Sequence, residues 1–302
     1  MIFAALMFAI MGVSVKKGAV AFNSAELTFW RGLISLIIIG LMARYRGISL
    51  RTCHPMMHAS RSTVGAMSLS SWFYSLTFLP LAGAMTLNYL SSIWVALFLV
   101  GAAFAGYLHN PRQAGQGAQI LGQLALLATV VAGFSGVVMI LRPSADPHYL
   151  AGTLAGLLSG LFGAFAYLQV VQLSRLGEPD IRVVFYFALA TMIFGAVWMM
   201  FAGTSPWQWK FFPWLILIGL SAALAQLALT RAYGRTKSHI ETLVVANLQY
   251  SGILFAVLFG ILFFNETVDR MACFGIAIVI LSGVAATVIR DRLFPKAPAE
   301  DH

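Results

Sequence analysis

The residues best suited to recognising a solute lie inside apolar runs. Arg31 sits several residues within one of them, where a charge costs about 2.5–3.5 kcal/mol on insertion scales. On a cavity wall it would attract an anionic group; otherwise it must snorkel to the outer interface or pair with Glu26. Lys16 closes the first run on the helix face of Ala5, Ala9 and Gly12. That small face allows close helix contact, and the lysine either points along it into a cavity or stays at the boundary like Lys17. Ser68, Ser71, Trp72 and Ser75 share one helical face, as do Gln226, Thr230 and Tyr233. Asn247 with Tyr250 and Ser251, and Asn88 with Ser91 and Ser92, form similar patches. In hydrocarbon such stripes must face protein or a water-filled cavity. They read as helix–helix hydrogen bonds, each worth about 0.6 kcal/mol, or as a solute lining, and their recurrence in several runs favours a lining. Trp72, Tyr89, Trp94, Tyr167 and Tyr250 would add aromatic surface for a ring or apolar part of a substrate. The candidate substrate-binding residues are therefore Lys16, Arg31, Ser71, Trp72, Asn88, Tyr89, Ser92, Gln226, Asn247 and Tyr250.

These types support binding and not catalysis. The sequence holds no GxxxxGK[ST], HExxH or GxSxG, and no carboxylates at useful spacing within the apolar runs. His54 and His58 have the spacing of a metal pair but flank Pro55 in a basic stretch without carboxylates, so they read as interfacial. Cys53 and Cys273 make neither a CxxC nor a metal motif. Glu241 would serve as a proton-coupling carboxylate, or pair with Lys237 or cap a helix. Gly152, Gly156, Gly160 and Gly163 read as a packing face. The expectation is a protein that is not an enzyme and has no metal and no cofactor.

The elements that must position these residues follow from composition. Of 302 residues 60% are hydrophobic and 10% charged, with mean hydropathy +0.86; a soluble domain carries about 25% charged residues. So little charge cannot cover a water-facing surface, which makes the lipid bilayer the partner of most of this chain. Apolar runs near residues 2–20, 25–43, 61–79, 83–106, 119–141, 150–173, 182–202, 211–231, 240–264 and 271–289 predict about ten transmembrane helices. Met1 to Val15 lack a basic leader and a cleavage site, so they read as the first span. With the N-terminus inside, 13 Lys and Arg fall in cytoplasmic loops and tail (Arg61 among them), and five fall outside. The net charge of +9 is thus explained by loop anchors and does not call for nucleic acid. Both termini are placed in the cytoplasm, and residues 290–302 read as a short polar tail.

The halves echo one another. Gly65, Tyr74 and Ala84–Leu90 recur in order as Gly219, Tyr233 and Glu241–Leu248, and the fifth and tenth runs both end in small-residue turns of helix. A five-span unit that is duplicated must sit in opposite orientations, the inverted repeat common among secondary transporters. The fold expected is all-α, with residues 2–141 and 150–289 as two inverted five-helix repeats.

With its order of motifs the chain resembles the EamA-type permeases of the drug/metabolite transporter superfamily over nearly its full length. The resemblance rests on Phe8-Ala-Ile-Met-Gly12-Val-Ser-Val-Lys16, Glu26-Leu-Thr-Phe-Trp-Arg31, Arg61-Ser-Thr-Val-Gly65, Trp72-Phe-Tyr74 and Leu79-Pro-Leu-Ala-Gly-Ala-Met-Thr-Leu-Asn88-Tyr. In the second half it rests on Gly177-Glu-Pro-Asp-Ile-Arg-Val-Val-Phe-Tyr-Phe187, Arg231-Ala-Tyr233 and Phe264-Asn-Glu266. It implies ten spans, inside termini and a central cavity between the halves. Such permeases close their fourth and ninth spans with a glutamate; Glu266 fits, whereas Tyr107-Leu-His-Asn-Pro-Arg112 departs from the pattern. The resemblance implies a secondary transporter in the cell (inner) membrane, monomeric or homodimeric, coupled to protons or an exchanged solute. Its substrate would be a small polar or amphipathic metabolite, such as an amino acid or a nucleoside-type compound like S-adenosylmethionine. The competing class is a membrane-embedded enzyme or lipid-handling protein, which should display clustered acidic or His residues at one membrane face.

Overall fold

The computed structural model describes residues 1–79, 81–109, 116–141, 150–265 and 270–293. Its described residues fold into helices without strands: α1 Ile2–Gly18, α2 Ser24–Tyr45, α3 Pro55–Phe78, α4 Leu81–His109, α5 Gln116–Leu141, α6 Leu150–Arg175, α7 Asp180–Ala202, α8 Phe212–Gly234, α9 His239–Leu248, α10 Ser251–Phe264 and α11 Arg270–Leu293. Among them, residues 24–45, 150–175, 180–202, 209–234 and 240–264 are long and apolar enough to cross a membrane. Glu266, the stretch around Arg112 and the last nine residues lie outside the described residues.

Helix starts follow local chemistry. Asn23 and Glu26 form a capping box, Asn23 Oδ1 accepting from the Glu26 N–H (3.0 Å) and Glu26 Oε2 accepting from the Asn23 N–H (2.8 Å). Ser238 caps α9 by accepting from the Glu241 N–H, while the Glu241 carboxylate accepts from the Lys237 N–H, so capping is what this glutamate does here. Pro55 opens α3 at a position where its missing N–H costs nothing. That start lies six residues ahead of the run expected from hydropathy, and it brings Arg61 inside the helix. Residues 240–264, expected as one helix, are interrupted at Gln249–Tyr250. There the N–H groups of Gln249 and Tyr250 donate to the carbonyls of Ala246 and Asn247, three residues back. Ser92 Oγ donates to the same Ala246 carbonyl (2.8 Å), a side chain inserted at the break.

The tightest pairings are α2 with α7, α3 with α6, α5 with α11, α1 with α8 and α4 with α6. Small residues set these distances. Gly156 lies against Leu87 and Ser75, and a Cβ on Gly160 would come within 2.6 Å of the Leu87 carbonyl oxygen. Where α2 crosses α7 the contact is backbone to backbone: a Cβ on Gly32 would overlap the Met192 backbone, and one on Gly195 would reach 2.5 Å from the Phe29 nitrogen. The main core joins Met11, Trp72, Phe73, Leu81, Met85, Tyr89, Ile218 and Ile253 across α1, α3, α4, α8 and α10. At one end Trp207 packs on Phe22, Trp30 and Trp209 with ring centroids 5.4–5.5 Å apart, an aromatic cluster of the kind that sits at a membrane interface.

Gly32→Ala should therefore destabilise the protein by about 1–3 kcal/mol, the usual cost of overpacking. Gly40→Ala on the same helix, where the nearest atom is 3.6 Å away, should be silent. Thermal unfolding of the detergent-solubilised protein, followed by size-exclusion recovery, compares the two; equal losses would remove the crossing as a determinant.

Candidate functional site

An internal cavity of about 50 Å³ lies among α1, α3, α4, α6, α7 and α8 and the break between α9 and α10. Phe8, Arg61, Gly65, Ser68, Trp72, Met85, Asn88, Tyr89, Tyr167, Phe187, Gln226 and Gln249 line it. Both halves of the chain thus contribute. Gln249 reaches the wall because the tight turn breaks its helix; its Nε2 donates to Tyr167 Oη (3.2 Å), and Tyr167 stacks on Tyr233 at 5.1 Å. Asn88 Nδ2 donates to Ser159 Oγ (3.1 Å), and Ser68 Oγ donates to the Ser159 carbonyl (2.7 Å), which orients both against α6.

The charged component comes from α3. Arg61 is 1% exposed and its guanidinium lies 4.1 Å from the centroid of Phe187. Arg31, also 1% exposed, rests 4.7 Å from the same ring and donates from Nη1 to Thr191 Oγ1 (3.2 Å). Gly65 makes the room: a Cβ there would come 2.7 Å from Arg61 Nη1 and 2.8 Å from Phe187 Cε2. No carboxylate among the described residues pairs with either arginine; Glu178 and Asp180 are paired with His54, His58, Arg182 and Arg231 instead. Arg31 is accordingly neither a snorkelling residue nor a partner of Glu26, whose carboxylate accepts from the N–H groups of Asn23 and Ser205.

Of the residues singled out from the sequence, the fold brings Trp72, Asn88, Tyr89 and Gln226 to the cavity and sets Arg31 behind Phe187. The others go elsewhere. Lys16 Nζ lies 4.7 Å from the Phe264 ring centroid at the α1–α10 end, beside Lys17. Ser71 faces a lateral groove of about 600 Å³ between α3, α6 and α7, lined also by Ser70, Tyr74, Leu158, Phe194 and Trp198. Ser92 is spent on the α9 backbone; Asn247 donates to Thr129 Oγ1 (3.0 Å), and Tyr250 packs over Gly133, both turned toward α5. Trp94 is over a third exposed. Sequence reading missed Arg61, Phe187 and Gln249. Arg61 was counted with the loop cations because hydropathy started the third run too late, and the signal that would have found it is Pro55 as a helix start.

A second polar cluster closes one end of the bundle. Glu178, in the α6–α7 turn, accepts from Thr52 Oγ1 and from Arg182 Nη1 (2.7 Å), with His58 Nε2 at 3.3 Å and His54 Nδ1 at 3.5 Å. Arg182 also donates to the Ser49 carbonyl (2.8 and 2.7 Å), and Tyr186 Oη to that of Leu50 (2.8 Å). The two histidines therefore do face a carboxylate, contrary to the sequence expectation, because the α6–α7 turn folds onto the α2–α3 loop. Burial alone would raise the Glu178 pKa, but the hydrogen bonds from Thr52 and Arg182, with His58 and the Arg182 charge close by, outweigh it and hold the carboxyl at about 2. Among the described residues no three His, Cys, Asp or Glu side chains are placed to hold a metal ion.

No family model matches the chain. It is 31% identical to the pseudopaline exporter CntI of Pseudomonas aeruginosa over 286 residues, covering 94% of this chain and 93% of the exporter. It is 28% identical to a riboflavin transporter of Brucella anthropi over 70% of each chain. A solved crystal structure superposes with a TM-score of 0.73 over 97% of this chain and 96% of the other at 19% identity, a likeness of fold.

Because the Glu178 pKa is depressed in the folded protein, its contribution to stability is present above the ordinary carboxyl value of 4.5 and is lost as pH falls from there through about 2. Glu178→Gln should unfold at lower temperature than the unaltered protein at pH 7, with the gap closing over that acid window. A gap independent of pH would show that Glu178 contributes through shape alone.

Proposed function

We infer the function from kinship and from one cavity: the chain belongs to the transporter family of the pseudopaline exporter of Pseudomonas aeruginosa. It is a multi-pass membrane protein of a family whose members carry small molecules. We propose that it is an EamA-type secondary transporter of the drug/metabolite superfamily. On this reading it moves a small polar or amphipathic metabolite across the inner membrane by alternating access, with both termini in the cytoplasm. The observation that carries this reading is the internal cavity, whose polar and aromatic wall is drawn from both halves of the chain.

Two further observations support it. Exchanging α1 with α6, α2 with α7, α3 with α8, α4 with α9–α10 and α5 with α11 turns the α3–α6 pairing into α8–α1 and leaves α2–α7 and α5–α11 unchanged. That exchange symmetry supports two five-helix repeats, residues 2–141 and 150–289, which on this reading are related by an axis in the membrane plane. The loop charges keep their asymmetry after Arg61 is moved into the bundle, which supports the orientation. The competing enzymatic class needs converging carboxylates at a membrane-facing site. The described lining of the lateral groove between α3, α6 and α7 contains none.

Reconstituted into proteoliposomes, the protein should drive gradient-dependent or exchange flux of at least one member of a panel of amino acids, nucleosides and flavins, tested with and without a pH gradient. No flux across the panel would overturn the reading. Trp72→Ala and Gln226→Ala should each lower flux about tenfold at normal expression, as loss of a contact worth about 1.4 kcal/mol would. Trp94→Ala, on the exposed face, should not.

A further inference from the structure

We propose that the central cavity recognises a carboxylate, so that the solute it takes is a small organic anion, with Arg61 as the residue that binds the charge. This deepens the transporter reading and rests on that cavity being the solute site.

The first argument is the hydrogen-bonding character of the wall. Arg61 Nε and Nη1, Trp72 Nε1, Gln226 Nε2 and Tyr89 Oη are buried and meet no partner among the described residues. All four side chains line the same cavity. Arginine, indole and amide N–H groups only donate, and a phenol can donate. A wall that offers donors in surplus is satisfied by a group that only accepts, and an ionised carboxylate is the smallest common anionic group of that kind in organic metabolites. An ammonium or sulfonium would leave the N–H donors of Arg61, Trp72 and Gln226 unanswered and add repulsion.

The second argument is charge. Arg31 and Arg61 place two cations around Phe187, both 1% exposed, with no carboxylate of the described chain paired to them. A cation–π contact offsets only part of what it costs to take each guanidinium out of water. Arg31 has Thr191 to bond. Arg61 has the cavity. An entering carboxylate supplies the missing countercharge to Arg61 directly and to Arg31 across the ring. Gly65 and Phe187 act as positioning residues, because the glycine leaves space for the guanidinium and the phenyl ring carries it.

The test compares carboxylates with their neutral amides on the unaltered, full-length protein in detergent. Formate and acetate, small enough for a cavity of about 50 Å³, would be titrated against formamide and acetamide, with quenching of tryptophan fluorescence and thermal shift as readouts. At least one acid should bind saturably and at least tenfold more tightly than its amide. Arg61→Gln should remove that preference and Arg61→Lys should keep part of it. Equal binding of acid and amide, no saturable binding of either acid, or an acid preference that survives in Arg61→Gln would each overturn the proposal. Phosphate or chloride competing as well as the acids would assign the site to inorganic anions and overturn the carboxylate class. The acid–amide comparison needs no variant, so a misfolded Arg61 substitution does not decide the matter. Flux of a neutral or cationic solute without acid binding would sink this inference and leave the transporter reading standing; acid binding without any flux would do the reverse.

Discussion

A positive charge held inside a helical bundle in lipid has to be answered within a few ångströms of its own atoms, because neither water nor a mobile counter-ion is at hand. Much of this architecture follows from meeting that requirement at Phe187. Its ring faces both Arg31 from α2 and Arg61 from α3, so three helices meet at one aromatic side chain. Thr191, one turn further along α7, takes the Arg31 donor and in turn donates to the Phe187 carbonyl (2.7 Å). Gly65 is small because the guanidinium and the ring already fill the volume beside it. The cavity opens where this arrangement ends, and so the wall of the cavity inherits the unspent polarity of Arg61.

Much of this was legible in the sequence, and what was hidden has a common cause. Length and composition give helices in lipid, since a chain with so few charges has no other way to satisfy its backbone. The glycine face of α6 was readable as packing because four-residue spacing leaves no other use for it. Trp72, Asn88, Tyr89 and Gln226 were readable as polar groups forced away from lipid. Their direction was not: Ser71 and Trp72 are neighbours in sequence, yet one faces a lateral groove and the other the cavity, and a one-residue rotation of α3 would put Ser71 on the cavity in place of Trp72. Asn247 and Tyr250 turn to α5 because the chain tightens just there, and nothing in a run of alanine, asparagine, leucine and glutamine announces a break. Lys16 and Arg31 were equally apolar in context, and only packing decides that one meets an end-of-helix phenylalanine and the other a buried ring.

Both ends of the α2–α7 pair are tied by polar contacts as well as by packing. At one end Glu178 and Arg182 fasten the α2–α3 loop to the α6–α7 turn. At the other, Asn23 Nδ2 donates to the Gly203 carbonyl (3.0 Å) and the Ser205 N–H to Glu26 (3.0 Å). The first set joins charged side chains between loops; in the second a carboxylate and an amide side chain meet main-chain groups.

The glycine crossing of α2 and α7 carries a mechanical consequence. Helices separated by side chains can slide, because rotamers rearrange to let ridges pass. At Gly32 and Gly195 the main chains already touch, and no intervening side chain can be repacked to permit translation. Rotation about the contact point remains free, since it changes the angle of the axes without bringing backbone atoms closer. The crossing is thus a fixed point: a change of angle there displaces the touching backbones little and the helix ends most.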